Sequence, residues 1–568
     1  MARYKGHRPP SGGLLCLVIA ATLCAALAGC ARMSRSNHAT TDKQSFASGA
    51  LPAKESFYSY PAIQEKLGRW RMACGPGRDP SLIRVVSLGR TCEGRDIYAM
   101  KISSNAAKDD REKPDILLMG GIHASEWIGI EAMMYFAERL LSGYGKDDCV
   151  TYIMDNAEIW IIPVVNPDGF AYSQRKSDDR HRLWRKNRRP LADGGIGVDL
   201  NRSFPYKWRL PTDTPGAIAD DIGGSDDPDS RFYRGEPDPN NPDNRAFIEK
   251  ETRALINLID DPRHNFVMAF DYHSYCERIL YPPGHSRDLP NKDMDAFRHI
   301  AGGMAQLINR QRGRIRRGIL KGLFIPEGRY EALQAGRLYT EVCTGTSMDF
   351  FYEAHGLIAL AVELSPGFSL GNYANGTGYK ISAEEIVPVC EENFPAILMA
   401  IDWAIGPARL EKSVLRRRND TDAQPRGKRL GPGEIEVTLV FSKPVILQPR
   451  YSLLGRRAGV RSVSLRDRNG NVLVSGKSGR WSKTRYANDT FTARIILPPG
   501  TAVGTELLSD LGAIMVELLD STGLCLDLNP KTRAVYITGE GLWINYEKTR
   551  DHKPPLNHDE LAGKVSHR

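Results

Sequence analysis

Hydrophobic residues follow one pattern over most of the chain, from about residue 55 to residue 410. Short, continuous apolar runs alternate with segments of helical periodicity; the runs lie at 82–86, 97–102, 116–119, 157–165, 266–273 and 357–364. Such runs are typical of strands buried on both faces, and their alternation with helices favours a parallel arrangement. The pattern predicts an α/β domain at 55–410, in which a mixed, mostly parallel sheet is flanked by helices at 58–74, from 126, and at 244–258, 294–310 and 384–405.

The pattern changes to an alternation of apolar and polar residues beyond residue 430. Short alternating runs lie at 435–441, 462–465, 472–474, 491–497 and 534–537. This spacing predicts an all-β, sandwich-like domain at 430–548. The charged segment 411–429 is predicted to be a linker, and the polar residues 549–568 a disordered tail.

The amino terminus has the parts of a secretory signal. Arg3, Lys5 and Arg8 precede an apolar segment that ends in Leu27-Ala28-Gly29-Cys30. This ending resembles the bacterial lipobox, in which the cysteine is lipidated; a plain signal peptide with a chance cysteine is the alternative. The resemblance implies a signal at 1–30, a lipid anchor at Cys30, and a flexible tether at 31–54. It also implies export to the bacterial envelope, and Ala31 matches the pattern for the outer membrane.

Charge and cysteine content add two expectations. The 568-residue chain has a formal net charge of +9, and its basic residues are spread out except for runs such as 310–317. Solvated faces explain these runs better than nucleic-acid binding, so no nucleic-acid partner is predicted. Because an exported chain can form disulfides, Cys74 with Cys92 and Cys276 with Cys343 are candidate pairs.

Candidate chemistry lies where two predicted strands end. Gly120 and Gly121 allow a tight turn after the run 116–119, and His123 and Glu126 follow at a strand-to-helix corner. His273 ends the run 266–273. Catalytic zinc takes three ligands such as His and Glu and leaves a fourth position open. A single histidine or glutamate is more often structural than a metal ligand. The surrounding sequence must therefore decide whether these residues bind a metal.

Six sequence blocks supply that context. In chain order they are Gly-Ile-His-Ala-Ser-Glu-Trp-Ile (121–128), Asn-Pro-Asp-Gly (166–169), Trp-Arg-Lys-Asn-Arg (184–188), Gly-Val-Asp-Leu-Asn-Arg (197–202), His-Ser-Tyr (273–275) and Ala-Val-Glu-Leu (361–364). Together they resemble the zinc metallocarboxypeptidases of the carboxypeptidase A type, over about residues 58–405. Six blocks in the family's order make a chance match an unlikely account.

The resemblance implies one Zn²⁺ in the catalytic domain, bound by His123, Glu126 and His273. It also implies that Asp199 orients His123 by accepting a hydrogen bond from the ring. These expectations agree with the placement of the three residues at predicted strand ends.

The resemblance implies four further roles in hydrolysis. Glu363 would be the general base, which agrees with the cost of leaving a carboxylate unused in an apolar strand. Arg185 would stabilise the oxyanion, while Asn201 and Arg202 would bind the terminal carboxylate of the substrate. Binding a free carboxylate would make the protein an exopeptidase.

Two family positions are less direct. The register of the substrate-capping tyrosine holds Glu341, so Tyr339 takes that role only with a two-residue insertion, and Tyr330 is a weaker candidate. By the same resemblance, Met348 occupies the position that lies at the base of the specificity pocket in the family, and Gly284 a position where some relatives have an acid. Both residues predict an apolar or neutral C-terminal side chain on the substrate.

The sequence thus predicts an exported, lipid-anchored zinc carboxypeptidase that removes single C-terminal residues from peptides. Two alternatives stay open: hydrolysis of cell-wall peptide stems, which also end in carboxylates, and an inactive envelope protein that only binds. The retained set of ligand and catalytic residues argues against the inactive protein. The sequence leaves the oligomeric state open.

Overall fold

The computed structural model describes residues 54–405, apart from 79, 176–178, 209–223, 237–247, 288–292, 320–328, 339–341, 368–375. Beyond residue 405 it describes only segments between 410 and 544. The predicted signal, Cys30 and most of the predicted tether, as well as Tyr339, Glu341 and the tail, lie outside the described residues. None of the described helices is both long enough and apolar enough to cross a membrane.

An eight-stranded mixed sheet is the centre of the first part of the chain. Its strands are β1 (Ile83–Arg90), β2 (Asp96–Ile102), β3 (Asp115–Gly120), β4 (Glu158–Ile162), β5 (Phe266–Ser274), β6 (Arg278–Tyr281), β7 (Glu331–Gln334) and β8 (Ile358–Leu364). They lie in the order β1-β2-β4-β3-β5-β8-β6-β7. The four central strands, β4, β3, β5 and β8, run parallel, and β3 and β4 are buried along their whole length. The predicted mixed α/β sheet is confirmed.

Helices connect and cover these strands. They are α1 (Tyr60–Cys74), α2 (Trp127–Gly143), α3 (Asp148–Asn156), α4 (Pro167–Ser173), α5 (Asp179–Arg182), α6 (Lys250–Ile259), α7 (Met294–Ile319), α8 (Ser347–His355) and α9 (Ile386–Ile405). The apolar α9 packs against α7 and α2, and α2 packs on β3 and β5. Burying these apolar faces against the sheet is the main source of stability for such a domain.

The described segments of the carboxyl-terminal part form short antiparallel strands. They are β9 (Leu410–Arg417), β10 (Arg429–Leu430), β11 (Gly433–Phe441), β12 (Val460–Arg466), β13 (Val472–Ser475), β14 (Arg480–Ser482), β15 (Thr490–Leu497), β16 (Val503–Gly504), β17 (Ala513–Leu518), β18 (Ala534–Thr538) and β19 (Gly541–Ile544). Strands β14-β15-β11-β9 form one sheet, β13-β12-β17-β18-β19 form another, and β10 pairs with β16. The predicted all-β content of this region is confirmed.

Two sequence predictions were wrong: the extent of the linker and the pairing of the cysteines. The segment 411–429 was expected to be a linker, but β9 fills its first part and pairs with β11. Neither predicted disulfide, Cys74 with Cys92 or Cys276 with Cys343, is formed.

The basic run at 310–317 also differs from expectation. It continues α7 instead of forming only a solvated face, and Arg312 is 4% exposed. Its guanidinium lies 2.8 Å from Glu277 and 2.7 Å from Glu392. The run of arginines does not reveal which of them is buried, because the partners of Arg312 are distant in sequence. Glu277 lies in the loop between β5 and β6, and Glu392 lies on α9.

One buried ion cluster allows a stability prediction. Lys101 is fully buried, and its ammonium lies 2.8 Å from Asp109 and 2.7 Å from Glu158. Replacing Lys101 with Met would leave the buried Glu158 without its cation and Asp109 with Arg84 alone, which should lower the free energy of unfolding by about 3–5 kcal/mol. Urea denaturation measures this change. The exposed neighbour Lys108, replaced by Met, is the control; equal stability of the two variants would contradict the prediction.

Candidate active site

Three donor side chains converge at the carboxyl edge of the sheet. His123 and Glu126 follow β3, His273 lies near the end of β5, and all three are at most 3% exposed. Nδ1 of His123 lies 2.9 Å from Oε1 of Glu126, and Nδ1 of His273 lies 3.0 Å from Oε2 of the same carboxylate. The two Nδ1 atoms are 3.1 Å apart. The predicted trio is therefore brought together, although 147 residues separate Glu126 from His273 in the chain.

Close packing at the corner makes this convergence possible. Gly121 has φ +63°, and a Cβ there would lie 2.8 Å from the side chain of Ile130. A Cβ on Gly129 of α2 would lie 2.5 Å from the backbone oxygen of Tyr272 in β5. Glycine at both positions lets α2 approach the sheet closely, so that Glu126, which precedes α2, faces His273.

The donor atoms fit a zinc ion. Tetrahedral zinc with nitrogen and oxygen ligands at about 2.0–2.2 Å places neighbouring donors about 3.3 Å apart. The distances of 2.9 to 3.1 Å between the donors are close to this spacing. The two imidazole nitrogens and the carboxylate all present lone pairs to one another. A cation between them would relieve this repulsion. The donor set is thus chemically suited to zinc.

Carboxylates lie behind both imidazoles. Oδ1 of Asp199 lies 3.2 Å from Nε2 of His123, as the sequence predicted. Oδ2 of Asp271 lies 3.0 Å from Nε2 of His273, a contact that was not predicted. The signal for Asp271 was its place two residues before His273 on an apolar strand, which puts both side chains on one face.

Arg185 lies beside the donor set. Its Nε donates to Oδ2 of Asp199 at 2.7 Å, and its Nη1 lies 3.5 Å from Oε1 of Glu126. Burial would lower the pKa of Arg185, but Asp199 and Glu126 raise it above its usual value. Burial would likewise raise the pKa of Asp199, yet Arg185 and His123 hold it well below its usual range. Arg185 therefore carries a fixed positive charge next to the donors.

Glu363 lies on β8, directly opposite His273 of β5 in the parallel register. Its side chain is partly exposed, unlike the neighbouring residues of the strand. Burial raises the pKa of Glu363 to about 7, with the positive charges of His273 and Arg185 opposing this shift and the carboxylate of Glu126 adding to it. A carboxyl group with such a pKa can accept and release a proton near neutral pH.

Asn201 and Arg202 lie in the short 3-10 turn Leu200–Arg202, which Asp199 caps. Both are 8% exposed. Nη1 of Arg202 donates to the backbone oxygen of Asn201 at 2.7 Å, and Nη2 lies 3.6 Å from Sγ of Cys343. Nε of Arg202 has no hydrogen-bond partner among the described residues. A buried guanidinium with spare donor capacity suits a carboxylate ligand.

Met348 and Gly284 lie near each other because Asp349, the residue after Met348, binds the backbone of Gly284. Met348 lies in the first turn of α8 and is 5% exposed. The next residue, Asp349, accepts from the amide of Gly284 at 2.9 Å and from the amide of His285 at 3.1 Å. The two predicted pocket positions are therefore neighbours in space, and neither of them carries a charge.

Of the tyrosines considered from the sequence, Tyr339 lies outside the described residues and Tyr330 is fully buried. The phenol of Tyr330 lies 3.4 Å from Asn393, and its ring is covered by the guanidinium of Arg312. Sequence reasoning missed Tyr379, whose ring packs edge-on against Tyr275 at 5.0 Å. Burial and the carboxylate of Glu126 raise the pKa of the Tyr379 phenol, as expected for a group close to the donor set.

A second group of possible donors lies away from this site. Asp109, Glu158 and His264 also have ligand atoms close to one another. The ammonium of Lys101 lies between the two carboxylates, at 2.8 and 2.7 Å. The chain itself thus supplies the cation in this group, and only the His123 group is suited to a metal among the described residues.

Comparison with known proteins agrees with this geometry. Residues 76–396 match the zinc carboxypeptidase family, so the chain belongs to that family. It is 30% identical over 336 residues to the inactive metallocarboxypeptidase ECM14 of Saccharomyces cerevisiae; the match covers 58% of this chain and 67% of the yeast protein. It is 35% identical over 255 residues to metallocarboxypeptidase A of Trichophyton tonsurans, covering 45% and 54% of the two chains.

A solved structure of thrombin activatable fibrinolysis inhibitor is a more distant match. It is 23% identical, with a TM-score of 0.49, and the match covers 62% of this chain and 75% of the other. The yeast relative is named inactive and the Trichophyton relative is not. Membership of the family therefore implies a zinc site but does not by itself decide whether this chain is active.

The site predicts one zinc ion per chain. Replacing His273 with Ala removes one of three ligands, so the purified protein should lose nearly all of its zinc during dialysis. Metal analysis by mass spectrometry measures the zinc content. His264→Ala is the control, because Lys101 already occupies the second group of donors; loss of zinc from this variant would contradict the assignment.

Proposed function

We propose that the protein is a zinc-dependent carboxypeptidase that removes single C-terminal residues from peptides. One observation carries this proposal: Glu363, a half-buried residue, lies across from His273 at the edge of the donor set, and burial raises the pKa of its carboxyl to about 7. A bound zinc ion would polarise the scissile carbonyl and make water a better nucleophile at neutral pH. Side chains of the protein itself carry out proton transfer, charge stabilisation and substrate binding.

Glu363 acts as the general base. In its ionised form the carboxylate accepts a proton from the attacking water, and it then delivers this proton to the amine that leaves. A pKa close to neutrality supports both halves of this transfer. Glu363 is half-buried, whereas its two neighbours on β8 are buried.

Arg185 stabilises the negative charge that develops on the carbonyl oxygen. Its guanidinium is fixed by the 2.7 Å bond to Asp199, so little reorganisation is needed during the reaction. Burial strengthens the interaction, because Arg185 is only 8% exposed. The proximity of Nη1 to Glu126, at 3.5 Å, supports placing this charge next to the reacting carbonyl.

Asn201 and Arg202 bind the terminal carboxylate, which limits cleavage to the last peptide bond. The unpartnered Nε of Arg202 supports an anionic ligand at this place. Met348 and Gly284 offer no carboxylate to a basic side chain, which supports apolar or neutral terminal residues as substrates. Tyr339 is kept as a candidate for covering the substrate.

An inactive binding protein is the second candidate, because the yeast relative is named inactive. The retained Glu363, Arg185 and complete donor set favour activity over that alternative. Cell-wall peptide stems are a different substrate class for the same chemistry, since they too end in a free carboxylate.

Glu363→Gln tests the proposal. It keeps the shape of the side chain but removes the base, so kcat should fall by about 10²- to 10⁴-fold while zinc is retained. Release of the last residue is measured on a library of peptides with varied C-termini, each with a free or an amidated end. The exposed Glu331 on β7, replaced by Gln, is the matched control.

The outcomes separate the candidates. Only peptides with free ends should be cleaved. If only purified cell-wall peptides are cleaved, the substrate class is cell-wall peptide stems and not ordinary peptides. Zinc-containing wild-type protein that cleaves neither class would favour the inactive binding protein.

We also propose that the protein is exported and held on a membrane by a lipid at Cys30. The basic residues and apolar segment before Cys30 support this proposal. The named relatives are fungal and leave a bacterial anchor without support from the comparisons.

Cys30→Ala tests the anchor. The variant should lose labelling by a radioactive fatty acid and move from the membrane fraction to the soluble fraction, because one acyl chain or more supplies the attachment. Cys149→Ala is the control. Membrane association that persists in Cys30→Ala without labelling would contradict a lipid anchor.

A further inference from the structure

Asp271 is a buried carboxylate that the proposed reaction does not use. It lies in the middle of β5 and is 2% exposed. Its Oδ2 lies 3.0 Å from Nε2 of His273, and the hydroxyl of Ser347 donates to the same oxygen at 2.7 Å. Its Oδ1 has no hydrogen-bond partner among the described residues. Burial of a carboxylate with one unpaired oxygen is costly, so this residue needs a compensating interaction.

A contact with the ring of His273, 3.0 Å from Asp271, supplies that interaction. Nδ1 of His273 faces Nδ1 of His123 and Oε2 of Glu126, which leaves it as the nitrogen that binds a metal. A neutral imidazole then carries its proton on Nε2, and Asp271 accepts the hydrogen bond from it. A carboxylate behind a ligating imidazole fixes the ring and makes its other nitrogen more basic.

Ser347 fixes Asp271 in turn. It is the first residue of α8, and the preceding Thr346 caps the helix by accepting from the amide of Asp349. The helix therefore sets the position of the Ser347 hydroxyl, while partial positive charge at the helix start favours the carboxylate of Asp271. Ser347 is 1% exposed, so water does not compete for its hydroxyl.

The same serine contacts the proposed substrate-binding residues. Its backbone amide donates to Oδ1 of Asn201 at 2.8 Å, which orients the Asn201 amide group. Nδ2 of Asn201 then lies 3.3 Å from Nε2 of His273. The amide nitrogen of Asn201 can only donate a hydrogen bond, so it makes none to Nε2 of His273 while Nε2 donates to Asp271. One helix start thus supports both the metal ligand and the carboxylate site.

We propose that Asp271 is a positioning residue that holds His273 for zinc, and that Ser347 acts through Asp271. Asp271 accepts a hydrogen bond from Nε2 of His273, as Asp199 does from Nε2 of His123, and so orients the ring. The inference rests on the metal-binding part of the proposed function and is independent of hydrolysis. It predicts a loss of zinc affinity, and this loss can be measured without any peptide substrate.

The test measures the zinc dissociation constant of the full chain by competition with a chelator. Asp271→Asn keeps the shape of the side chain but removes its charge, and it should weaken zinc binding by about 10- to 100-fold. Ser347→Ala should weaken binding less, because it removes one bond to Asp271 and leaves the carboxylate. Asp199→Asn is the positive control, and Asp260→Asn, at an exposed carboxylate, should bind zinc like the wild type.

Two further measurements separate positioning from a merely structural role. The thermal midpoint of each zinc-free variant should stay close to that of the zinc-free wild type. A variant with both Asp271→Asn and Ser347→Ala should have a zinc dissociation constant within about twofold of that of Asp271→Asn alone. The reason is that both changes act on one chain of hydrogen bonds.

Three results would overturn the proposal. Wild-type affinity in Asp271→Asn would show that His273 needs no such support. A zinc-free midpoint that falls in proportion to the affinity would assign Asp271 to folding, and additive losses in the double variant would show that Ser347 acts elsewhere. Wild-type protein that binds no zinc would overturn the proposed function together with this inference, whereas zinc-binding protein without hydrolysis would overturn only the proposed function.

Discussion

The need for a cation between three buried donors is the constraint on which the rest of the site depends. Nδ1 of His123, Nδ1 of His273 and the carboxylate of Glu126 lie about 3 Å from one another, with at most 3% of each residue exposed. Carboxylates of Asp199 and Asp271 add negative charge behind the imidazoles. Such a concentration of acceptors is stable only if positive charge is held among them.

The parallel centre of the sheet satisfies this constraint with few residues. Strands β3, β5 and β8 end at one edge, so ligands and base come from three separate parts of the chain without long excursions. Because His273 and Glu363 are paired in the parallel register of β5 and β8, the candidate metal ligand lies beside the proposed base. Ser347, at the start of α8, connects this edge to Asn201. The candidate metal site and the proposed substrate-binding residue Asn201 thus both contact Ser347 or its partner Asp271.

The predictable part of the fold consisted of long elements with a regular pattern. The strands around 116–119 and 357–364, and the corner with His123 and Glu126, were found because continuous apolar runs and glycines are local signals. The short β6 and β7 and helices α3 and α8 were missed, since a few residues carry too little periodicity. Arg312 and Asp271 were not recognised as buried partners, because burial depends on segments distant in sequence.

By itself, the sequence determined the class of the fold, the residue types of the metal site and the strand ends on which they lie. Those properties follow from local patterning and from the short list of side chains that bind zinc. Only the tertiary structure decided that the Nδ1 atoms face each other, that Asp271 supports His273, and that Lys101 fills the second group of donors. These outcomes depend on distances between side chains far apart in the chain, and only packing sets those distances.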